Sequence, residues 1–511
     1  MTMTVDQLQN ETLKSEFNVA YSENGAKMYA TTGKALLDLS FKAPQLRATK
    51  PHLDTNTERQ LVEAEMENRE LFAKFLFFLR DARGGIGERN AFRNTFLWFC
   101  NTRPEDACKL LKFVPEYGRW DDLVYILYNT TNEVVKNTIV AIVSEQFTSD
   151  IKSDNPSLMG KWLPSINAGK KSKAFAKALI AEMNKNGIVM NDAEYRKTLS
   201  QLRKKIHIVE TNITEKNYAE IDYERVPSVA NTRYANLFLK YDKERRNKYL
   251  ESLAKGEKKI NASVSFPHDI YKLVSKEQQT AEAMWEALPD YVDGDCKTLV
   301  VRDGSGSMLS RIPNSTTSAL DVASALCVYF AERMTGEFHN TFITFSSRPE
   351  LVKFRESMSL YEKKRFLNGY DDCSNTDIEK TFDLVLSTAV SNNLKQEDMP
   401  GQLLIVSDME FDEATRSYNY QTRRYAETTP NLFEHIAQKY AQHGYKLPKL
   451  VFWNVNSRTG VVPVIENEMG VTLVSGYSAA ICKMVLSEET DPWKTLLNVL
   501  LSDRYAQITL Q

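Results

Sequence analysis

The feature that most constrains the fold is a change in hydrophobic pattern near residue 290. Before it, apolar residues recur at helical spacing, and almost nothing alternates as a strand would. After Leu288-Pro289-Asp290, short apolar runs alternate with helical patterns. Strands that alternate with helices form a mostly parallel sheet with helices on both faces. We therefore expect an α + α/β fold, in which a helical part precedes a doubly wound α/β domain.

In the helical part, helix, short turn and helix follow one another in pairs of about 30 to 45 residues. This rhythm favours an α-solenoid of irregular HEAT type, and a compact orthogonal bundle is the alternative. The first 25 residues are polar and weakly patterned. The predicted domains are a flexible arm at 1–25, a helical HEAT-like domain at 26–292 and an α/β domain at 293–511.

The individual elements follow from the same patterns. Helices are predicted over 57–79, 134–147, 173–184, 194–202, 232–239, 245–253, 319–334, 378–390, 431–442 and 492–501. Strands are predicted over 298–302, 341–345, 402–406, 450–455 and 471–474.

Composition and motifs argue against several classes of protein. No segment reaches the roughly 18 apolar residues of a membrane span, and the first ten residues do not resemble a secretory signal. Six cysteines without a C-x-x-C pair argue against zinc and a disulfide framework. The phosphate-loop, H-E-x-x-H and G-x-S-x-G patterns are absent from the sequence. We expect a cytoplasmic protein that is not an enzyme.

One short stretch carries the pattern of a metal site. The apolar run 298–302 ends in Asp303-Gly304-Ser305-Gly306-Ser307. A carboxylate and two hydroxyls spaced two residues apart offer three hard oxygen ligands, which suit Mg²⁺ or Mn²⁺. Ligands collect at the carboxyl ends of strands in open α/β sheets. On these residues alone, a solvated turn rich in glycine and serine is the alternative.

Two further loops, 373–377 and 405–410, carry oxygen ligands next to a predicted helix and a predicted strand. The three loops together resemble the metal-ion-dependent adhesion site of von Willebrand factor A domains, over roughly residues 296–511. The resemblance implies that the serines and the threonine contact the cation, and that the aspartates act directly or through water. The predicted metal ligands are Asp303, Ser305, Ser307, Thr376 and Asp408.

Such a set of oxygen donors predicts a site in which the bound cation accepts an anionic ligand from a partner. Two carboxylates nearly neutralise a divalent ion, and neutral hydroxyls leave it able to accept one more anionic ligand. We therefore expect the cation to capture an acidic group of a protein partner, and we expect no catalysis there.

Four stretches of the helical part stand out as motifs: Tyr117-Gly118-Arg119-Trp120-Asp121-Asp122-Leu123, Gly160-Lys161-Trp162-Leu163-Pro164-Ser165, Tyr195-Arg196-Lys197-Thr198-Leu199-Ser200 and Val226-Pro227-Ser228-Val229-Ala230. They resemble motifs of Ro-type TROVE proteins, specifically an uncharacterised Ro-like branch. In such proteins a ring of helical repeats precedes a von Willebrand A domain. The resemblance extends from about residue 55 onward and implies that the helical ring binds small structured non-coding RNA. Ring closure rests on this resemblance alone.

Charge is distributed unevenly in this part of the chain. The whole chain has a net charge of -2, but residues 151–260 contain 23 Lys+Arg against 13 Asp+Glu. This stretch is the candidate polyanion-binding surface, and a solvated basic helix face is the alternative. Trp120 and Trp162 could stack on bases, although packing roles are favoured. The candidate RNA-binding residues are Arg83, Arg119, Lys161, Lys170, Lys171, Arg196, Lys197, Arg203 and Lys204.

These observations favour one function over another. The favoured function is a monomeric RNA-binding protein with no membrane association, which holds Mg²⁺ or Mn²⁺ in its α/β domain. The alternative is a protein-interaction scaffold that uses the metal site without RNA. The basic excess at 151–260 is the feature that discriminates between them.

Overall fold

The structure, a computed structural model, divides into two compact units. The helical unit comprises residues 49–264 and 501–511, and the α/β unit comprises residues 1–48 and 265–500. Within the described ranges, no helix combines the length and apolar composition that a membrane crossing requires. The structure describes residues 18–21, 27–48, 53–292, 297–313, 315–346, 348–370, 378–410, 418–419, 424–425, 432–457, 462–463, 471–478, 481–485, 489 and 491–511.

Helices dominate the chain up to residue 264. In chain order, the described elements are β1 (Val19–Tyr21), β2 (Lys27–Tyr29), α1 (Ala35–Phe41), α2 (Thr55–Glu67), α3 (Arg69–Arg80), α4 (Arg89–Thr102), α5 (Pro104–Leu110), α6 (Val114–Tyr117), α7 (Trp120–Asn129), α8 (Glu133–Lys152), α9 (Met159–Trp162), α10 (Lys170–Lys185), α11 (Asp192–Lys205), α12 (Val209–Thr214), α13 (Ser228–Tyr241) and α14 (Lys243–Ala254).

From residue 265 onward, strands and helices alternate. The described elements are α15 (Pro267–Leu273), α16 (Gln278–Glu286), β3 (Thr298–Asp303), α17 (Ala319–Arg333), β4 (Thr341–Phe345), β5 (Leu351–Lys353), α18 (Leu360–Leu367), α19 (Ile378–Ser391), β6 (Gln402–Ser407), β7 (Tyr418–Asn419), β8 (Arg424–Tyr425), α20 (Leu432–Gln442), β9 (Lys449–Asn454), β10 (Val471–Ser475), α21 (Cys482–Val485) and α22 (Pro492–Leu500).

The α/β unit is built on one sheet with the strand order β10-β9-β6-β3-β4-β5. Neighbours from β10 to β4 pair in parallel, and β5 is antiparallel to β4. The inner strands β3 and β6 are buried along their whole length, as expected for parallel strands covered on both faces. Leu299, Val301 and Ile405 share one core with Phe382 of α19 and Tyr440 of α20. The predicted α + α/β fold class is therefore confirmed, while the solenoid, the ring and the von Willebrand assignment stay predictions.

The predicted strands match, one predicted helix is divided, and the structure adds elements that were not predicted, among them β1, β2 and β5. The five predicted strands are confirmed as β3, β4, β6, β9 and β10. The predicted helix 57–79 is two helices, because the Asn68 side chain accepts a hydrogen bond from the Leu71 amide at 3.0 Å and begins α3. Residues 19–21, predicted as part of a flexible arm, form β1, which pairs antiparallel with β2.

The limits of the two units differ from the predicted domains because packing, not chain order, sets them. Helix α15 packs against α17 of the α/β unit, although it continues the helical pattern of the first half. The C-terminal segment 501–511 packs on the helical unit, where the Tyr505 ring is buried and its hydroxyl donates to Asp81 Oδ2 at 3.0 Å. Lys74 Nζ donates to the Tyr505 carbonyl at 2.7 Å.

Candidate metal centre and basic surface

The candidate metal centre lies at the carboxyl ends of two neighbouring strands. β3 and β6 pair in parallel with Arg302 opposite Val406, so the next residues, Asp303 and Ser407, end their strands side by side. A single 3₁₀ turn, Gly306–Leu309, follows β3. The register of the sheet therefore brings together loops that lie about a hundred residues apart in the sequence.

Hydrogen bonds join four of the five predicted ligands. Asp303 accepts from the Ser305 amide at 2.9 Å and from the Ser407 hydroxyl at 2.5 Å. The Oγ atoms of Ser305 and Ser307 are 3.0 Å apart, and the Ser307 hydroxyl donates to Asp408 Oδ1 at 3.2 Å. Oxygen donors from both loops thus converge on one place.

These donors fit a small hard cation. Adjacent ligands of octahedral Mg²⁺, each about 2.1 Å from the metal, stand about 3 Å from one another. The separations of 3.0 and 3.2 Å between the hydroxyl and carboxylate oxygens are close to that value. In the described part of the chain, no group of three His, Cys, Asp or Glu side chains could hold a metal. Hydroxyls must therefore complete the set, which favours Mg²⁺ or Mn²⁺ over zinc.

Burial and the local backbone hold both aspartates in place. Asp303 and Asp408 are 1% and 0% exposed. Burial raises the pKa of Asp303, and the hydrogen bonds from Ser407 and Ser305 oppose that shift. After Asp408 the backbone turns through Met409 at φ 63°, where the Met409 amide donates to the Ser407 hydroxyl at 3.0 Å. A cation bound here would offset the cost of burying two carboxylates.

One predicted ligand lies outside the described residues, and two residues of the candidate metal centre were not predicted. Thr376 lies in 371–377, outside the described residues, so its predicted role stays a prediction. Ser407 was missed, although it supports Asp303 directly. The available signal was its place at the end of a buried strand, beside Asp408. Met308 was also missed, and its sulfur accepts a hydrogen bond from the Asp408 amide at 3.2 Å.

The candidate basic surface lies on α10 and α11 of the helical unit. Lys170 begins α10, and Lys197 and Lys204 lie two turns apart on α11, opposite its buried residues Tyr195, Leu199 and Leu202. These three lysines and Arg196 are exposed, and none forms an ion pair within the described part of the chain. Their charge is therefore available to solvent.

Other predicted RNA-binding residues are engaged within the fold. The Arg203 guanidinium donates to the carbonyls of Gly160 at 3.0 Å and Leu163 at 2.7 Å, and burial lowers its pKa. Lys161 Nζ lies 3.0 Å from Glu210, and Lys171 Nζ donates to the Tyr128 carbonyl at 2.7 Å. Arg203 therefore holds the turn after α9 in place, which the sequence did not indicate.

Arg83 and Arg119 lie near the turn before α7. Arg83 is exposed and donates to the Glu116 carbonyl at 3.3 Å. The Arg119 guanidinium lies 4.8 Å from the centre of the Trp162 ring, so that tryptophan both packs and positions a cation. Burial lowers the pKa of Arg119.

The same turn contains a buried ion-pair network that sequence reasoning missed. Asp122 is fully buried and accepts hydrogen bonds from Arg80 Nε at 2.8 Å, Arg93 Nε at 2.6 Å and the Arg119 amide at 3.0 Å. Gly118 permits this approach, because a Cβ there would stand 2.5 Å from Asp122 Oδ2. The signal in the sequence was Gly-Arg-Trp-Asp-Asp, in which two acids stand three and four residues after a turn glycine.

Comparisons with known proteins place parts of this chain beside families without an assigned function. Residues 297–497 match a domain of unknown function, DUF7788, and residues 144–302 match another, DUF2828. Uncharacterized protein L728 of Acanthamoeba polyphaga mimivirus is 29% identical over 526 residues, which cover 94% of this chain and 87% of that protein. The crystal structure of the Deinococcus radiodurans RO (RSR) protein aligns with a TM-score of 0.33 and 12% identity, over 91% of this chain and 90% of that one.

Proposed function

We propose that the chain is an RNA-binding protein of Ro/TROVE type, whose helical unit binds small structured non-coding RNA. The observation that carries the proposal is a set of exposed cations on α10 and α11 that form no ion pair within the described residues, namely Lys170, Arg196, Lys197 and Lys204. The resemblance of four sequence stretches to Ro-type motifs supports the same function.

Phosphate chemistry explains why such a surface would bind RNA. Lysine and arginine side chains that neutralise phosphates release condensed counterions, which drives binding and makes it sensitive to salt. Lys170, Arg196, Lys197 and Lys204 can do so without first breaking an ion pair within the described residues. By contrast, Lys161 and Lys177 already lie within 3.0 Å of a carboxylate, so they would contribute less.

The metal centre has a separate role in this proposal. Asp303, Ser305, Ser307 and Asp408, with Thr376, would hold Mg²⁺ or Mn²⁺, and the ion would supply an electrophilic site for a carboxylate of an acidic protein partner. This chain's own residues hold the ligands in position, since Ser407 donates to Asp303. We further propose a cytoplasmic monomer without enzymatic activity.

Purification tests the RNA-binding proposal directly. The full chain is purified without nuclease, its A260/A280 ratio is measured, and bound nucleic acid is sequenced. We expect a ratio above that of protein alone and a small set of structured RNAs. A nucleic-acid-free preparation that also shows no salt-sensitive binding to structured RNA would contradict the proposal.

A matched pair of variants tests the surface. Replacing Arg196, Lys197 and Lys204 by alanine is expected to weaken RNA binding. The control replaces three ion-paired cations of the same unit, Arg59, Lys136 and Lys258, whose carboxylate partners lie within 3.9 Å. Equal losses in the two triple variants would mean that general charge, and not this surface, binds RNA.

A protein-interaction scaffold is the second candidate function. It is supported by Leu309, which ends the 3₁₀ turn of the metal centre and is 59% exposed, so an apolar side chain adjoins the cation site. If the chain is such a scaffold, we expect Mg²⁺-dependent capture of a protein partner by the wild-type chain and loss of this capture in Leu309→Ser. We also expect the purified protein to contain no RNA.

A further inference from the structure

Four arginines from α3, α4 and the turn before α7 surround two aspartates of α7. These six residues, here called the arginine cluster, are Arg80, Arg89, Arg93, Arg119, Asp121 and Asp122. Asp122 already accepts three hydrogen bonds, from Arg80, Arg93 and the Arg119 amide. Asp121 is the other carboxylate of the cluster, so the remaining guanidinium donors within the cluster can pair only with it.

Asp121 lies close to Arg93 but not to Arg89 or Arg119. Its Oδ2 lies 2.8 Å from Arg93 Nη2 but 3.9 Å from Arg89 Nη1, and its Oδ1 lies 3.7 Å from Arg119 Nε. The last two distances exceed a hydrogen bond. Asp121 Oδ1 is buried and accepts no hydrogen bond within the described residues. Arg89 and Arg119 consequently retain donors that no carboxylate of the cluster satisfies.

The unsatisfied arginines also reach solvent. Arg89 and Arg119 have side chains 42% and 39% exposed, whereas Arg80 is 5% exposed. Burial lowers the pKa of Arg89, and the positive charges of Arg119 and Arg93 lower it further, against the opposing effect of Asp121 and Asp122. An anion between Arg89 and Arg119 would relieve this repulsion.

The charge of the cluster indicates which anion fits. Four guanidiniums and two carboxylates leave two positive charges, and a phosphomonoester has a charge of about -1.5 to -2 at pH 7. A phosphodiester has one negative charge and would leave the cluster half compensated. Guanidinium forks bind phosphate oxygens in pairs, and the Trp162 ring, 4.8 Å from the Arg119 guanidinium, keeps that fork in place.

We infer that Arg89 and Arg119, supported by Arg93, bind the terminal phosphate of a nucleotide chain. This inference rests on the proposed function in one respect, which is that the bound nucleotide chain is RNA. The phosphate would accept hydrogen bonds from the two exposed guanidiniums, while Asp121 and Asp122 keep Arg93 and Arg80 oriented behind them. The site is thus a reader of the phosphorylated end, distinct from the exposed cations of α10 and α11.

The experiment compares one short single-stranded RNA with a 5′-phosphate or a 5′-hydroxyl, labelled at its 3′ end, by fluorescence anisotropy on the full chain. We expect the phosphorylated RNA to bind about tenfold more tightly, as for one well-placed charged hydrogen-bond pair. Arg89→Gln with Arg119→Gln should abolish the preference, and Arg119→Lys should retain only part of it. Arg59→Gln, at an exposed position on α2, should leave it intact.

A second probe separates this inference from the proposed function. Inorganic phosphate should raise the melting temperature of the wild-type chain more than that of the double variant. If no RNA binds but phosphate stabilises the wild-type chain more than the double variant, the phosphate site is supported and the proposed RNA-binding function is refuted. The inference is overturned if RNA binds without preference for the phosphorylated end, if the double variant keeps the preference, or if neither RNA nor phosphate shows an effect.

Discussion

Removing the Asp122 carboxylate is the most informative change in the helical unit. In Asp122→Ala, the three hydrogen bonds to this fully buried side chain disappear. Arg80, whose side chain is 5% exposed, then loses the partner of its buried charge. Removing one partner of a buried ion pair typically costs about 3–5 kcal/mol.

This loss of unfolding free energy corresponds to a decrease in the melting temperature. In a unit of 150–250 residues, each kcal/mol shifts the midpoint by about 2–4 °C, so Asp122→Ala should lower it by about 6–20 °C. Differential scanning calorimetry of the full chain measures this shift in the transition of the helical unit. The calorimetric trace is needed because two units need not unfold as one.

Two control variants make the result specific. Asp121→Ala removes a carboxylate that is 21% exposed, lies 2.8 Å from Arg93 Nη2 and is loosely paired with Arg89 and Arg119. Arg93 keeps its bond to Asp122, so no buried charge loses its last partner and the change should cost less than Asp122→Ala, about 1 kcal/mol. Arg80→Met combined with Asp122→Ala removes both buried charges and should be less destabilised than the sum of the single variants. If Asp122→Ala is no less stable than Asp121→Ala, the network does not stabilise the unit as argued.

Three further predictions address other parts of the chain. Asp303→Ala should abolish the rise in melting temperature that Mg²⁺ produces; an equal rise in the variant would place the cation elsewhere. Gly118→Ala should destabilise the helical unit by about 1–3 kcal/mol, because its Cβ would meet Asp122 Oδ2 at 2.5 Å; an unchanged midpoint would refute this. Asp54 caps α2, and the Thr57 amide lowers the pKa of its carboxyl. The extra stability from the ionised carboxylate is therefore present above the unfolded-state pKa and lost as pH falls through the folded-state pKa. Asp54→Ala should cost about 1 kcal/mol at neutral pH through the lost cap, and less at acid pH.

The strands of the sheet and the position of most residues of the candidate metal centre were predictable because local pattern specifies them. Apolar runs identify β3 and β6, and parallel strands present their carboxyl ends at the same edge. Asp303, Ser305, Ser307 and Asp408 are therefore expected at one edge of the sheet once both strands are assigned, and the pairing of β3 with β6 brings them together. Ser407 was not predicted, since a serine at a strand end has no distinctive pattern until the register is known.

Features set by packing over long distances were not predictable. Helix α15 reads as part of the helical half, yet it packs on α17 of the α/β unit. Tyr505 becomes a buried partner of Asp81, 424 residues away in the chain. A basic residue in a helical pattern is equally compatible with a free charge, as for Lys197, and with a structural role, as for Arg203. Only the contacts distinguish these two cases.

The central claim, that the exposed cations of α10 and α11 bind RNA phosphates, is tested most directly by the salt dependence of affinity. The measurement is log Kd against log salt concentration for one structured RNA, with the wild-type chain and with Lys170, Arg196, Lys197 and Lys204 replaced by glutamine. Each lost phosphate contact should reduce the slope by nearly one. We predict a clearly flatter dependence in the variant, whereas equal slopes would contradict the assignment of RNA binding to this surface.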